Sequence, residues 1–545
     1  MPTGGEAMTS VAGHVVDGMR RAGIRQLFCV PGVQNDDLFD VLVDARGWLD
    51  VVVARHEQGA AYMAMGAAQV TGRPAACSVV PGPGVLNAAA GLTSACGGGA
   101  RVLAVVGQIA TWALGRGYRV LHELDDQPAV LAQVTKHVAA VRSPAEAVAC
   151  VQGALDALVS GTPRPVAIEV PADLWAKPAP GCVAAPVATM PTADPDALDR
   201  AADLLVRARR PLIWVGTGAQ DAAPAVRRLA EVLQAPVATR RMGHGVMDAA
   251  DALCAPLPVA HDLWADADVV LGIGSRIEFP LLQWGTGDLT LVQVNTDADE
   301  LDRHGLGALG LHGDAAVVVP ALVERVVERL GGTVRPERRT EMAERRAAHA
   351  ARIAHLQPQL GFLAALAGAL PADAVLVEDV TQVTFAAHIA YPFNRPRTFL
   401  STGFAGTLGS AVATAIGAKA AAPERAVVAL TGDGGFLFTA TELASAVQHG
   451  IASVTVVFDD GAYGNVQRIQ RERYGPERTI ASDLVNPDVV AFARSFGCHA
   501  ERADDADGLR VALGRALAAG GPAVIHVPVG PMPSPWPFIV MPKVR

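Results

Sequence analysis

Short apolar runs recur along the chain. Each closes on glycine, proline or a polar residue, and helical spacing follows. In the first third, Val11 to Ala22 predicts a helix. Gln26 to Val30 then ends at Pro31-Gly32, Val51 to Ala54 at Arg55-His56-Glu57, and Ala75 to Val80 at Pro81-Gly82-Pro83-Gly84. Val102 to Val106 ends at Gly107-Gln108 and Val166 to Val170 at Pro171. Continuous apolar runs between turn residues read as strands covered on both faces. Strands that alternate with helices predict a parallel sheet between two helical layers.

The pattern repeats twice. Residues 181–197, rich in Ala and Pro, read as a linker. Beyond it, Pro211 to Val215 leads into Gly216-Thr217-Gly218, Val269 to Ile273 into Gly274-Ser275-Arg276, and Leu291 to Val294 into Asn295-Thr296-Asp297. The Gly216-x-Gly218 turn is part of a dinucleotide fingerprint, but the third glycine is absent, so a structural α/β domain is the favoured reading. Residues 331–358 carry Arg/Glu clusters at helical spacing, which predict a solvated linker helix. Alternation resumes with Val375 to Glu378. The expected fold class is α/β, three doubly wound parallel-sheet domains at residues 1–180, 198–330 and 359–545. The tail from Pro533, with Trp536 and Phe538, either folds over a site or packs on a neighbour.

Composition narrows the function classes. The chain has 545 residues, enough for several cores, and a net charge of −9 without a basic run, so no nucleic-acid partner is expected. Its apolar runs are too short and interrupted to span a membrane, and its N-terminus lacks the pattern of a signal peptide. Seven cysteines without C-x-x-C spacing read as reduced thiols of a cytoplasmic protein, and zinc is not expected.

The densest chemistry lies between Leu430 and Asn465. The strand Ala426 to Leu430 breaks at Gly432-Asp433-Gly434-Gly435, a helical stretch follows, and the strand Ser453 to Phe458 ends in Asp459-Asp460-Gly461-Ala462-Tyr463-Gly464. In a parallel βαβ unit joined by one helix, Asp433 and Asp460 come to neighbouring strand ends, where open α/β sheets bind ligands. Glycines and a helix N-terminus suit a phosphate, and two hard carboxylates suit Mg²⁺ beside it. Read alone, Asp433 is equally a helix N-cap.

Gly-Asp-Gly followed about 27 residues later by a polar pair and a Gly/Tyr turn resembles the metal–diphosphate motif of thiamine diphosphate (ThDP) enzymes. The family shows Asn-Asn where this chain has Asp459-Asp460; an Asp at the ligand position keeps the oxygen donor. The resemblance implies Mg²⁺ held by the Asp433 and Asp460 side chains and the Ala462 carbonyl. It also implies backbone contacts to the diphosphate from Gly435, Phe436, Gly464 and Asn465, with Gly432, Gly434 and Tyr463 as further cofactor-binding residues and Thr381 a further phosphate candidate. Arg55-His56-Glu57-Gln58-Gly59-Ala60-Ala61 resembles the segment supplying the activating glutamate, here Glu57, which shares a proton with the pyrimidine ring of thiamine. Without that match, Glu57 reads as an acidic residue at a helix N-terminus. Pro83, Gly84 and Asn87 match the turn against the pyrimidine, with Pro81 in place of the usual Ser. Residues 401–418 resemble the cradle of the bent cofactor, with Gly406 offering a carbonyl to the aminopyrimidine and Leu408 wedged between the rings. The whole chain resembles the family's layout of pyrimidine-binding, middle and diphosphate-binding domains. That layout implies active sites at a two-fold interface in a homodimer or homotetramer.

Within the family, Val105-Val106-Gly107-Gln108 and Val134-Thr135-Lys136-His137 resemble the acetolactate-synthase-like branch. The resemblance implies a 2-oxo acid donor whose acyl unit is ligated to a carbonyl acceptor, with decarboxylation to an aldehyde as the alternative. Gln108 and His122 are the polar groups placed to face a substrate. A surface or structural hydrogen bond explains each equally well. Two departures stand out. Where acetolactate synthases carry R-F-D-D-R, the chain reads Arg276-Ile277-Glu278-Phe279-Pro280, and His122 replaces their Gln before Glu123. FAD-binding features are not evident, so FAD is doubtful. A non-catalytic relative of the fold is disfavoured by the intact Glu57, Asp433 and Asp460.

Overall fold

The computed structural model describes residues 9–545. Among the described residues, eighteen strands form three six-stranded sheets in which every pairing is parallel. The first sheet holds β1 (Gln26–Cys29), β2 (Asp50–Val53), β3 (Ala75–Val79), β4 (Val102–Gln108), β5 (Val138–Ala140) and β6 (Val166–Pro171), in the order 2-1-3-4-6-5. The second holds β7 (Pro211–Val215), β8 (Val237–Thr239), β9 (Cys254–Ala255), β10 (Val269–Ile273), β11 (Thr290–Asn295) and β12 (Leu309–His312), in the order 12-11-10-7-8-9. The third holds β13 (Val375–Glu378), β14 (Phe399–Leu400), β15 (Val427–Gly432), β16 (Val454–Asp459), β17 (His499–Arg502) and β18 (Ala523–Pro528), in the order 14-13-15-16-18-17.

The first and third sheets therefore share one topology. The middle sheet instead follows the order of a dinucleotide-binding fold. The central strands are buried along their length, as continuous apolar runs require.

The outer domains pack directly through two helices, Glu57–Thr71 and Ala411–Ala421, both buried almost all round. Small residues set their spacing. A Cβ on Gly66 would overlap the Thr414 carbonyl, and one on Gly417 would overlap Met63. The segment after residue 180 is pinned to the first domain, where Ala184 and Val187 donate N–H groups to Gln152 and Asp156.

Two expectations need correction. The charged linker helix, Arg339–Ile353, is a strap rather than a solvated connector. Its Met342 is fully buried, Arg346 donates to the Ala249 and Asp251 carbonyls, and the His349 ring meets the Ile389 carbonyl. The βαβ unit around Asp433 is joined not by one helix but by two short ones, Asp433–Thr439 and Leu443–Gln448, with a tight turn between them. The tail packs on the middle domain and back on the third. Arg545 donates to the Trp264 and Ala267 carbonyls, and Trp536 packs on Phe385 in the helix Gln382–Ala390. Among the described residues no helix is long and apolar enough to cross a membrane.

Candidate active site

Glu57 is the first residue of its helix, directly beyond β2. The turn before it is held by the third domain. The buried Glu442 carboxylate accepts the Arg55 and His56 N–H groups at 3.0–3.1 Å. A Cβ on Gly59 would overlap that carboxylate, so glycine is required there. On the other side, Asn87 Nδ2 donates to Glu57 Oε2 at 2.9 Å. Asn87 lies in the first turns of the helix Pro83–Gly97, with Pro83 at its first position. A Cβ built on Gly84 would stand 3.5 Å from Glu57 Oε1. The structure thus brings Glu57, Pro83, Gly84 and Asn87 together.

Gly82, at φ +62°, lies under the His122 backbone, and His122 itself adopts φ +69°. Left-handed backbone in a non-glycine residue costs energy and persists where the surroundings enforce it. The half-buried imidazole keeps Nδ1 without a hydrogen-bond partner. Gln108 is placed differently. Its Nε2 donates to Glu169 Oε2 at 3.1 Å and its Oε1 accepts the Ile109 N–H at 2.7 Å, so each end of the amide has a partner within the fold. Gln127 shares Glu169 and fixes the Gly82 N–H at 2.8 Å.

In the third domain, Asp433 opens its helix directly after β15, and Asp460 follows β16, which pairs with β15. Burial pushes the Asp433 carboxyl above the usual range. Burial and the facing Asp433 push Asp460 up to about 6. Two carboxylates held against each other are the donor set a hard divalent cation relieves. A Cβ on Gly464 would overlap the Asp460 carboxylate and displace it. The strand-like bridge of Ala462 to Asp483 uses the Tyr463 N–H and the Gly461 carbonyl, so the Ala462 carbonyl stays outside it. The Tyr463 ring covers Gly434, and Asn465 accepts from Arg468. Phe436 is fully buried in the core, so only its backbone borders the glycine turn. No cluster of three or more His, Cys, Asp or Glu side chains suited to a metal occurs among the described residues. The implied site needs only two carboxylates, completed by a carbonyl and phosphate oxygens.

Thr381 caps the next helix, accepting the Val383 N–H, and stands beside Gly432. Gly406 has φ +57° and open space around its Cα, and Leu408 is half-buried in the same turn. The glycine cradle, the two carboxylates and the wedge turn fit a diphosphate with its metal and a thiamine ring system.

Sequence reading missed three groups. Asn486 Nδ2 donates to Asp433 Oδ2 at 2.6 Å and Asp459 Oδ1 at 3.0 Å, while Asp459 Oδ2 lies 2.9 Å from His526 Nε2. Nothing in the local pattern near Asn486 signals this. Glu442, which holds the turn before Glu57, sits in a run whose apolar neighbours gave no cue. Asp379 ends β13 as Asp433 follows β15, and that shared position was the available signal.

A cavity of about 320 Å³ opens at the carboxyl ends of the middle-sheet strands. Gly216 and Gly218 border it, but both also pack against Gly274, where a Cβ on either would meet backbone atoms. Arg276 lies over the Phe404 ring, with the guanidinium carbon 4.8 Å from its centroid. Pro280, where acetolactate synthases carry arginine, lines the same cavity.

Comparison with known proteins agrees with this geometry. Residues 9–130 match the N-terminal TPP-binding domain of thiamine pyrophosphate enzymes, 198–322 the central domain and 379–527 the C-terminal TPP-binding domain. The chain is similar to a probable 2-ketoarginine decarboxylase of Pseudomonas aeruginosa, at 34% identity over 93% of this chain and 91% of that one. It is also similar to the large subunit of acetolactate synthase isozyme 2 of Escherichia coli, at 28% identity over 96% of both chains. An acetolactate synthase of Bacillus subtilis matches at 29% over 94% of this chain and 92% of its own. The chain belongs to the thiamine pyrophosphate enzyme family, among its acetolactate synthase and 2-oxo acid decarboxylase members.

Proposed function

We propose that the chain is a ThDP- and Mg²⁺-dependent decarboxylase of a 2-oxo acid. Ligation of the acyl unit to a carbonyl acceptor is the second reading. Bound ThDP supplies an electron sink for the pair released with CO₂. Glu57, oriented by Asn87 and by the turn that Glu442 holds, exchanges a proton with the pyrimidine ring. Asp433, Asp460 and the Ala462 carbonyl would hold Mg²⁺, and the amides of Gly432 to Phe436 and Tyr463 to Asn465 would receive the diphosphate. Leu408 would be the apolar residue between the cofactor's two rings.

One observation carries the choice between outcomes. Pro280 stands where acetolactate synthases place the arginine for an acceptor's carboxylate, so a second 2-oxo acid lacks that partner. The free Nδ1 of His122 supports the same choice, since an imidazole offers a proton where those enzymes have an amide. Carboligation with an uncharged aldehyde acceptor remains compatible with both features. The name of the Pseudomonas relative puts 2-ketoarginine first among donors to test.

The three domains divide at 1–180, 198–330 and 359–545, and the working unit is a homodimer, alone or within a tetramer. Leu86, Leu437, Phe438, Val466 and Ile469 are exposed beside the implied cofactor residues, an apolar surface a second copy would cover. The deciding experiment incubates the protein, ThDP and Mg²⁺ with pyruvate and with 2-ketoarginine, and measures CO₂, aldehyde and condensed product. CO₂ with stoichiometric aldehyde supports the decarboxylase. Condensed product in excess supports the carboligase. No ThDP uptake overturns both.

A further inference from the structure

We infer that Asp379 is a positioning residue that holds the Leu408 wedge in register with the diphosphate cradle. The inference rests on the cofactor-binding reading above. Asp379 is almost wholly buried at the end of β13. Its carboxylate collects donors from three separate places. The Val380 N–H reaches Oδ1 at 2.8 Å, from the turn leading to Thr381. The Gly409 N–H reaches both oxygens, at 2.9 and 3.1 Å, and the Ala411 N–H reaches Oδ2 at 3.3 Å. The Thr431 hydroxyl, directly before Gly432-Asp433, reaches Oδ2 at 3.3 Å.

Each donor belongs to a segment with a cofactor role. Gly409 follows Leu408 and anchors the turn that carries Gly406. Ala411 begins the helix Ala411–Ala421, whose own N-cap, Ser410, makes no side-chain capping bond. Asp379 therefore supplies from outside the acceptor that this helix start lacks. Gly435 completes the enclosure, because a Cβ there would stand 2.9 Å from Thr431 Oγ1 and 3.1 Å from Asp379 Oδ2. One carboxylate thus fixes the phosphate turn, the wedge turn and the Gly-Asp-Gly corner relative to one another. An amide could not replace it, since an NH₂ end would face N–H donors.

The experiment measures ThDP affinity, Mg²⁺ binding without ThDP, and thermal melting for wild type, Asp379→Asn, Leu408→Ala and the double variant. Asp379→Asn should lower ThDP affinity by about tenfold or more, the scale of lost buried charge-assisted hydrogen bonds. Mg²⁺ binding alone should change by less than about twofold, because Asp433 and Asp460 stay in place. The double variant should cost no more ThDP affinity than the worse single one, because both changes remove one wedge. Thr431→Ala removes a donor while sparing the carboxylate. It should weaken ThDP binding about threefold, which keeps the test alive if Asp379→Asn does not fold. Wild-type affinity in both Asp379→Asn and Thr431→Ala, or full additivity with Leu408→Ala, overturns the inference. Wild-type protein that takes up no ThDP overturns the functional reading, and this inference with it.

Discussion

The Asn87 amide donates to the Glu57 carboxylate across 2.9 Å, joining the first residue of one helix to the first turns of the next. The bond fixes one carboxylate oxygen and leaves the other for a ligand proton. Glu57→Gln should therefore keep ThDP affinity within about threefold and lower kcat by about a hundredfold or more, the scale of a lost general acid–base group. Isothermal titration beside steady-state kinetics checks both halves. Near-normal turnover would remove Glu57 from the proton path.

Asp433→Ala should abolish Mg²⁺-dependent ThDP uptake. It also leaves Asn486 with Asp459 as its sole carboxylate partner, so the local structure survives better than the metal site does. ThDP affinity unchanged by the substitution, at any Mg²⁺ concentration, would place the metal elsewhere.

Two buried carboxyls give the protein without ligands a pH signature. Burial pushes both Asp379 and Asp460 up to about 6, above their unfolded value near 4. The native state thus holds these protons more tightly than the unfolded chain does. Their contribution to stability is greatest below pH about 4, shrinks as pH rises through about 6, and is flat beyond. Asp460→Asn should flatten part of that slope in a series of melting curves from pH 4 to 7. A slope unchanged in the variant would show that Asp460 does not titrate in this range.

The sequence made most central strands and their ends legible because buried parallel strands read as unbroken apolar runs closed by turn residues. Of the unread strands, β5, β9, β12, β14 and β17 lie at sheet edges and are two to four residues long, too short to show a period, whereas β8 and the six-residue β18 lie inside their sheets and were also not read. The candidate site was legible where its residues follow strands, as with Glu57, Asp433 and Asp460. Asn486 was not, because its partners lie 53 and 27 residues away in a contact no spacing encodes. Gln108 adds a feature the sequence did not signal: a polar residue at a strand end that donates to the buried Glu169. The strap Arg339–Ile353 misled through composition, since Arg345 pairs with its own Glu341 and with Asp266 of the middle domain, and Arg346 donates to the Ala249 and Asp251 carbonyls there.

His122→Gln tests the choice of product. The substitution restores the amide that acetolactate synthases carry and removes the one imidazole in the turn over Gly82. Aldehyde release should fall several-fold, on the order of the contribution of a positioned acid, and the share of condensed product should rise when an aldehyde acceptor is added. ThDP affinity should hold, since His122 touches no residue of the diphosphate cradle. An unchanged product ratio would make His122 a structural residue of its strained turn.

The contact between the outer domains tolerates no side chain at Gly66. Its position against the Thr414 carbonyl leaves no room for a methyl group, and the obstacle is backbone rather than a movable side-chain end. Gly66→Ala must therefore separate the helices Glu57–Thr71 and Ala411–Ala421 or bend one of them, at a cost of about 1–3 kcal/mol. The first helix starts at Glu57 and the second follows the Leu408 turn, so the strain should also reach the cofactor. Denaturant unfolding should show the loss of stability, and ThDP titration a weaker affinity in the same variant. Ala68→Gly, on the same helix, serves as the control. It costs only the helix propensity of about 1 kcal/mol and should leave ThDP affinity unchanged. Equal behaviour of the two variants would mean that the close approach at Gly66 does not govern the site.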